Sequence, residues 1–142
     1  MSVNNVKSMT PKVELVRFPV HGDERGSLIA LEGGQDVPFE IRRVYYIYGV
    51  SAALPRGFHA HRKLNQILIC IHGKINVHCE YGEKEEEYIL DSSDKGLLIG
   101  SLVWHSMTFI DEESVLLVIA DGHYDEADYI RDYNIFKKEE GK

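Results

Sequence analysis

Between Lys12 and Ala120 the chain is a succession of short apolar or alternating runs, each closed by turn residues. KVELVRF (Lys12–Phe18) alternates and places Val13 and Leu15 on one face. GSLIALE (Gly26–Glu32), IRRVYYIY (Ile41–Tyr48), QILICI (Gln66–Ile71) and INVHCEY (Ile75–Tyr81) follow, then EEYILD, GLLIG, WHSMTFI and SVLLVIA. β-Branched and aromatic residues are frequent in them, as a pleated, half-buried surface requires. His72-Gly73-Lys74, between two such runs, is a tight-turn signal. Regular short spacing of this kind predicts an all-β sandwich or barrel. Only the tail carries helical spacing: in DEADYIRDYNIFKK, Tyr129, Ile130, Tyr133 and Phe136 repeat on one face. That pattern predicts a C-terminal helix over 125–139, capped by Asp125 and packed against the β-body.

Length and charge narrow the field further. A chain of 142 residues suits one domain, 1–142, with a core that needs no staples. A net charge of −7 argues against nucleic acid and anionic membranes as partners. An anionic ligand would then need a local basic pocket. Cys70 and Cys79 flank the tight turn, and the reading favours two buried thiols over a disulfide. MSVNNVKSMTPK at the start has no apolar core of a leader, and no run reaches a spanning length. A soluble, cytoplasmic protein is expected.

The chemistry concentrates in RGFHAHRKLNQILICIHG, Arg56–Gly73. Residues i and i+2 of a strand share a face, so His59 and His61 point the same way. They can hold a metal, move a proton or fill space. Gly57, His59, His61, Gln66 and Gly73 resemble the first motif of the cupin superfamily, a small antiparallel jelly-roll barrel. The usual motif has Glu where this chain has Gln66. His105, in GSLVWHSM, falls where the second cupin motif supplies another histidine, although Gly100 and Leu102 replace its usual Pro and Gly.

RGSLIALE, VPFEIRRVYYIYGV, PRGFHAHRKLNQILICIHGKINV, GLLIGSLVWHSM and DYIRDYNIFKK together resemble a narrower group, from about Asp23 to Lys138. These are the sugar-nucleotide 3,4-ketoisomerases that act on dTDP-4-keto-6-deoxyglucose. The resemblance implies an isomerase without metal or other cofactor, acting on a dTDP-linked 4-keto-6-deoxyhexose. It implies a homodimer that exchanges N-terminal strands, with Lys12–Phe18 paired to the partner. It also implies a place in deoxyamino-sugar synthesis for surface glycans such as O-antigen or S-layer chains. Arg25 with His105 resembles the galacto-forming branch.

Moving a ketone from C4 to C3 requires a base for the C3 proton, a donor for C4 and something to steady the enediolate. Histidine suits both proton steps because its ordinary pKa lies near working pH. His59 and His61 are the candidate acid–base pair, and Arg25 and Tyr46 the candidates for steadying oxyanion charge. Tyr46 and Tyr48 share one face of their strand, opposite Tyr45, and which face meets the sugar is one register step. Arg56 is the candidate for the diphosphate, with Arg62 and Lys63 as alternatives. Gln66 and His105 complete the candidate substrate-binding set. Two other readings stay open: a non-catalytic sugar-binding cupin, and a metal-dependent cupin oxygenase using His59, His61, Gln66 and His105.

Overall fold

The computed structural model describes residues 12–51 and 54–142. The expectation that the first residues carry no leader therefore falls almost wholly outside the described residues. The strands are β1 (Val13–Arg17), β2 (His21–Asp23), β3 (Gly26–Leu28), β4 (Arg43–Ile47), β5 (Arg56–His61), β6 (Gln66–His72), β7 (Ile75–Tyr81), β8 (Lys84–Leu90), β9 (Lys95–Ile99), β10 (Trp104–Phe109), β11 (Val115–Ala120) and β12 (Tyr129–Ile130). A 3₁₀ turn spans Glu126–Asp128, and one α-helix, α1, spans Tyr133–Glu140.

Two five-stranded sheets face each other, in the orders β1-β9-β6-β11-β4 and β12-β5-β10-β7-β8. Every strand pairing is antiparallel. Between them lies a core that includes Leu68, Val77, Leu97, Phe109, Leu116 and Val118, each at most 1% exposed. The all-β jelly-roll expectation holds.

The nearly unbroken apolar runs in β6, β9 and β11 have a simple cause. Ile67, Ile69, Leu98 and Ile119 point away from the main core, and Ile29, Leu31, Phe39 and Ile41 of the β3–β4 connection cover them. These strands are buried on both faces, and the sequence is apolar at consecutive positions for that reason. By contrast, β10 is buried at every second residue, as the alternation in WHSMTF requires.

The tail departs from the expected helix over 125–139. Asp125 caps only the 3₁₀ turn, accepting from the Ala127 N–H. Tyr129 and Ile130 then pair with His61 and Ala60 as a two-residue strand. The α-helix begins after Asp132, whose carboxylate accepts from the Asn134 and Ile135 N–H groups. Two capping aspartates seven residues apart each close their own short element, so the apolar spacing of the tail mixes a strand with a helix. Ile130 and Phe136 nevertheless share one small core with Ala60 on the outside of the second sheet.

The strand expected to pair with a second copy, Lys12–Phe18, is β1. Its five residues run antiparallel to β9 of the same chain, from Val13↔Ile99 to Arg17↔Lys95. That register buries Val13 in the main core. The β2–β3 hairpin forms a separate two-stranded sheet that joins neither of the larger ones, and its six strand residues are all exposed.

Candidate active site

β5 carries an irregularity that aims its histidines. Against β10 its register runs from His105↔His59 to Ser106↔Gly57, so Phe58 is an extra residue in the strand. Gly57 sits at φ 101° and Phe58 at φ 59°, in the left-handed region. Such a bulge twists a strand and redirects the side chains beyond it. Ala60 then faces the tail core while His59 and His61 face the interior.

The two histidines do different things. His59 lines a cavity of about 400 Å³ at one end of the barrel. His61 is 3% exposed, outside the cavity wall, with its ring 5.1 Å from that of His59. Its Nδ1 lies 3.1 Å from Asp128 Oδ2. His105 is also buried, edge-on to His59 at 4.7 Å. Its Nδ1 donates to the Val103 carbonyl (3.1 Å), which leaves Nε2 to accept from the Gln66 amide N–H (3.2 Å).

Burial sets the protonation of this cluster. It pushes the His59 pKa down to about 3, helped by the charges of His105 and His61. It pushes His105 down to about 4 against the pull of the Val103 carbonyl. Burial also lowers His61, and Asp128 opposes it. All three are therefore neutral imidazoles at pH 7.

Polar and aromatic groups complete the cavity wall. β4 sends Arg43, Tyr45 and Ile47 inward, and the tail adds Tyr124, Tyr129 and Arg131. Tyr129 rests against both His59 and His61, with ring centroids 5.2 and 4.5 Å away. Arg43 lies over the Tyr45 and Tyr124 rings and Arg131 over Tyr129. Two buried polar atoms at this wall lack partners, Arg43 Nε and Gln66 Oε1. Arg43 and Arg56 make the cavity locally cationic in an acidic protein, while the Arg131 guanidinium, also on the wall, is paired with Glu126 at 3.0 Å.

Of the residues named from sequence, His59, Arg56, Gln66 and His105 line this cavity. Tyr46 does not: it is 64% exposed on the outer face of β4, stacked with Tyr48, while Tyr45 takes the inner face. Both faces of IRRVYYIY mix aromatic with polar or aliphatic residues, so alternation gave no means of choosing between them. Arg25 is likewise outside the cavity wall, its side chain 87% exposed at the β2–β3 turn and bonded to Asp23 (2.6 Å). Arg62 is used structurally, donating to the Ala127 and Tyr129 carbonyls, and Lys63 gives its backbone N–H to Asp128.

Sequence reasoning missed Arg43, Tyr129, Arg131 and Asp128. Arg43 had a signal, since alternation places it on the Tyr45 face. The three tail residues had none, because helical spacing assigned that stretch to packing.

The cupin metal set does not fit here. The Nε2 of His105 is occupied by the Gln66 amide, and Gln66 adds no negative charge. Among the described residues, three His, Cys, Asp or Glu ligand atoms come within 4.8 Å of one another only at His78, Glu80 and Glu85, away from the cavity.

Comparisons with known proteins place the whole chain among known relatives. The chain is 45% identical over 125 residues (88% of this chain, 90% of the relative) to the TDP-4-oxo-6-deoxy-α-D-glucose-3,4-oxoisomerase of Aneurinibacillus thermoaerophilus. A crystal structure of a histidine-to-asparagine mutant of the 3,4-ketoisomerase QdtA from Thermoanaerobacterium thermosaccharolyticum, in complex with TDP-4-keto-6-deoxyglucose, superimposes with a TM-score of 0.89. It is 41% identical, over 93% of this chain and 96% of that one. The TDP-quinovose 3,4-ketoisomerase WlaRB of Campylobacter jejuni matches with a TM-score of 0.87 at 40% identity, over 91% and 99%. The family model described as FdtA, WxcM-like C-terminal, matches residues 11–141, and the chain belongs to that family.

Proposed function

We propose that this chain is a 3,4-ketoisomerase of TDP-4-keto-6-deoxyglucose. The observation that carries the proposal is a neutral histidine, His59, on the wall of a cavity that also presents Tyr45, Tyr129 and three arginines. The 45% identical oxoisomerase supports the choice of substrate.

In the proposed reaction His59 takes the C3 proton, and the electrons of that C–H bond form the enediolate. One wall tyrosine hydroxyl protonates O4 and recovers its proton from the O3 hydroxyl, a second protonates C4 and is restored by the proton held on His59, so the ketone ends at C3. His59 is deprotonated at pH 7 and free to accept. The enediolate's negative charge beside it then favours the imidazolium, offsetting the burial that depressed its pKa. Tyr45 and Tyr129 are hydroxyl groups of the cavity wall that can pass protons at C4 and O4, and burial raises the Tyr45 pKa so that it stays protonated. Arg43 and Arg56 present guanidinium groups suited to diphosphate oxygens. Gln66 Oε1 is an unused acceptor for a sugar hydroxyl. Replacement of the anionic cupin ligand by this amide supports a metal-free reaction.

The same proposal extends to a homodimer. The β2–β3 hairpin with Arg25 packs into neither sheet, and Val44, Tyr46, Tyr48 and Leu28 are exposed apolar side chains. A second copy covering them is how we read the family's strand exchange in this chain, and it offers Arg25 a route to a partner's cavity. Sedimentation of a stable monomer at micromolar concentration would refute it. The described residues include no helix long and apolar enough to cross a membrane. We place the enzyme in the cytoplasm, in deoxyamino-sugar synthesis for a surface glycan, because a 3-keto sugar is what an amination step requires.

The deciding experiment is NMR of the product formed from TDP-4-keto-6-deoxyglucose in deuterated water. A 3-keto sugar carrying deuterium at C4 is expected, with its C4 configuration read from the same spectrum; Arg25 and His105 point to galacto. Tight nucleotide binding without turnover would replace the enzyme by a sugar-binding cupin.

A further inference from the structure

Asp128 lies 67 residues from His61, in a 3₁₀ turn of the tail, yet among the described residues its carboxylate is the only polar partner of the His61 ring. Asp128 Oδ1 accepts from the Lys63 N–H (2.7 Å) and Oδ2 from the Leu64 N–H (3.3 Å), while Oδ2 also faces His61 Nδ1 at 3.1 Å. His61 Nε2 is buried and has no partner among the described residues. Two proton placements satisfy these distances. Either His61 carries its proton on Nδ1 and donates it to the carboxylate, or a protonated Asp128 donates to a bare Nδ1. The second placement puts an N–H on Nε2, as a buried donor without an acceptor. A buried unpaired donor is rarer and less tolerable than an under-used acceptor. Oδ2, moreover, already accepts from the Leu64 N–H, the role of an acceptor rather than of a hydroxyl donor.

We infer that Asp128 is a positioning residue for His61, holding it as the Nδ1–H tautomer so that a bare Nε2 stands in the buried wall behind His59 and Tyr129. Its catalytic consequence rests on the ketoisomerase reading above; the tautomer itself does not. The His61 ring lies 5.1 Å from His59 and 4.5 Å from Tyr129, so its orientation fixes both groups that face the sugar. Asp128 therefore acts through His61, and the tail bearing it is part of the proton machinery as well as packing.

The test reads the tautomer directly. In protein with ¹⁵N-labelled histidine at neutral pH, long-range ¹H–¹⁵N correlations, assigned with His61→Gln, should show the His61 proton on Nδ1. In Asp128→Asn the amide oxygen can still accept from one backbone N–H, while its NH₂ faces Nδ1 as a donor. The His61 proton should move to Nε2, and kcat should fall about 10-fold to 100-fold, the usual effect of losing a partner that orients a functional histidine, with KM changed by less than about threefold. Asp125→Ala removes the cap of the same turn but leaves Asp128, and should leave the tautomer alone. A wild-type His61 protonated on Nε2 overturns the inference without any variant. So does an Asp128→Asn protein with unchanged tautomer and kcat. If the wild-type protein fails to convert the sugar nucleotide, the ketoisomerase reading falls while the tautomer still decides the role of Asp128.

Discussion

Gly57→Ala tests whether the bulge in β5 holds the site in place. At φ 101° an L-residue lies outside its comfortable wells, a strain of about 1–3 kcal/mol. The added Cβ would also stand 3.2 Å from the His105 carbonyl oxygen and 3.2 Å from Ser106 Cα. Both are backbone atoms of the paired strand, which cannot swing aside as a flexible side chain would. Crowding of that kind typically adds about 1–3 kcal/mol, and the expected total is about 2–4 kcal/mol, since some relaxation serves both terms. At about 4 °C per kcal/mol for a chain of this size, the melting temperature should drop by roughly 8–16 °C. If the strand relaxes instead of bearing the strain, His59 moves relative to the sugar, and a shift of about 1 Å lowers kcat by about 100-fold. Thermal melts and kcat at saturating substrate, measured on one preparation, separate the two responses. Phe58→Gly is the complement. It relieves about 1–2 kcal/mol at φ 59° and gives back a similar amount in chain entropy and lost contacts, so stability should change by less than about 1 kcal/mol. A Gly57→Ala protein that melts within about 2 °C of wild type and turns over at the native rate would refute the reasoning.

Three further outcomes follow. His59→Asn keeps an amide of similar shape but removes the proton acceptor; kcat should fall at least about 100-fold with nucleotide affinity nearly unchanged, and the loss should not add to that of His61→Asn, as calorimetry and single-turnover rates can show. The folded pKa values of His59 (about 3) and His105 (about 4) lie below the ordinary 6.5, so the unfolded chain takes up protons first as pH falls. Stability should therefore be level above about pH 7 and decline from about pH 6.5 towards pH 4, and a flat denaturant-melt series over that range would contradict the buried neutral histidines. Cys70 and Cys79 are buried free thiols with pKa values pushed up to about 11 and 12, so neither should react with a thiol reagent until the protein unfolds, and both should react then.

Strand content, the antiparallel class and the inward pair His59/His61 were legible because period-2 alternation and turn residues are local signals. The choice of Tyr45 over Tyr46 was not, since it depends on which side of β4 meets the second sheet. The tail was misread because two overlapping signals, a strand bonded to β5 and a helix capped by Asp132, produce one apolar spacing. Asp128 was invisible for a different reason: a hydrogen bond spanning 67 residues leaves no trace in either neighbourhood. Arg25 was legible as a family position, yet a single chain leaves it on a hairpin facing solvent.

The tail that supplies Tyr124, Asp128, Tyr129 and Arg131 is synthesised after all the strands of the barrel core. Strands β1–β11 and their shared core are complete at Ala120, before any of these residues exists. Domains assemble from the N-terminus as they are made, so the barrel can form ahead of the wall that closes its cavity. Until then His61 lacks its carboxylate and His59 faces an open mouth. A chain cut short after β11 would thus resemble a folded cupin while being unable to hold an enediolate away from water, which ties activity, more than stability, to the segment that follows β11.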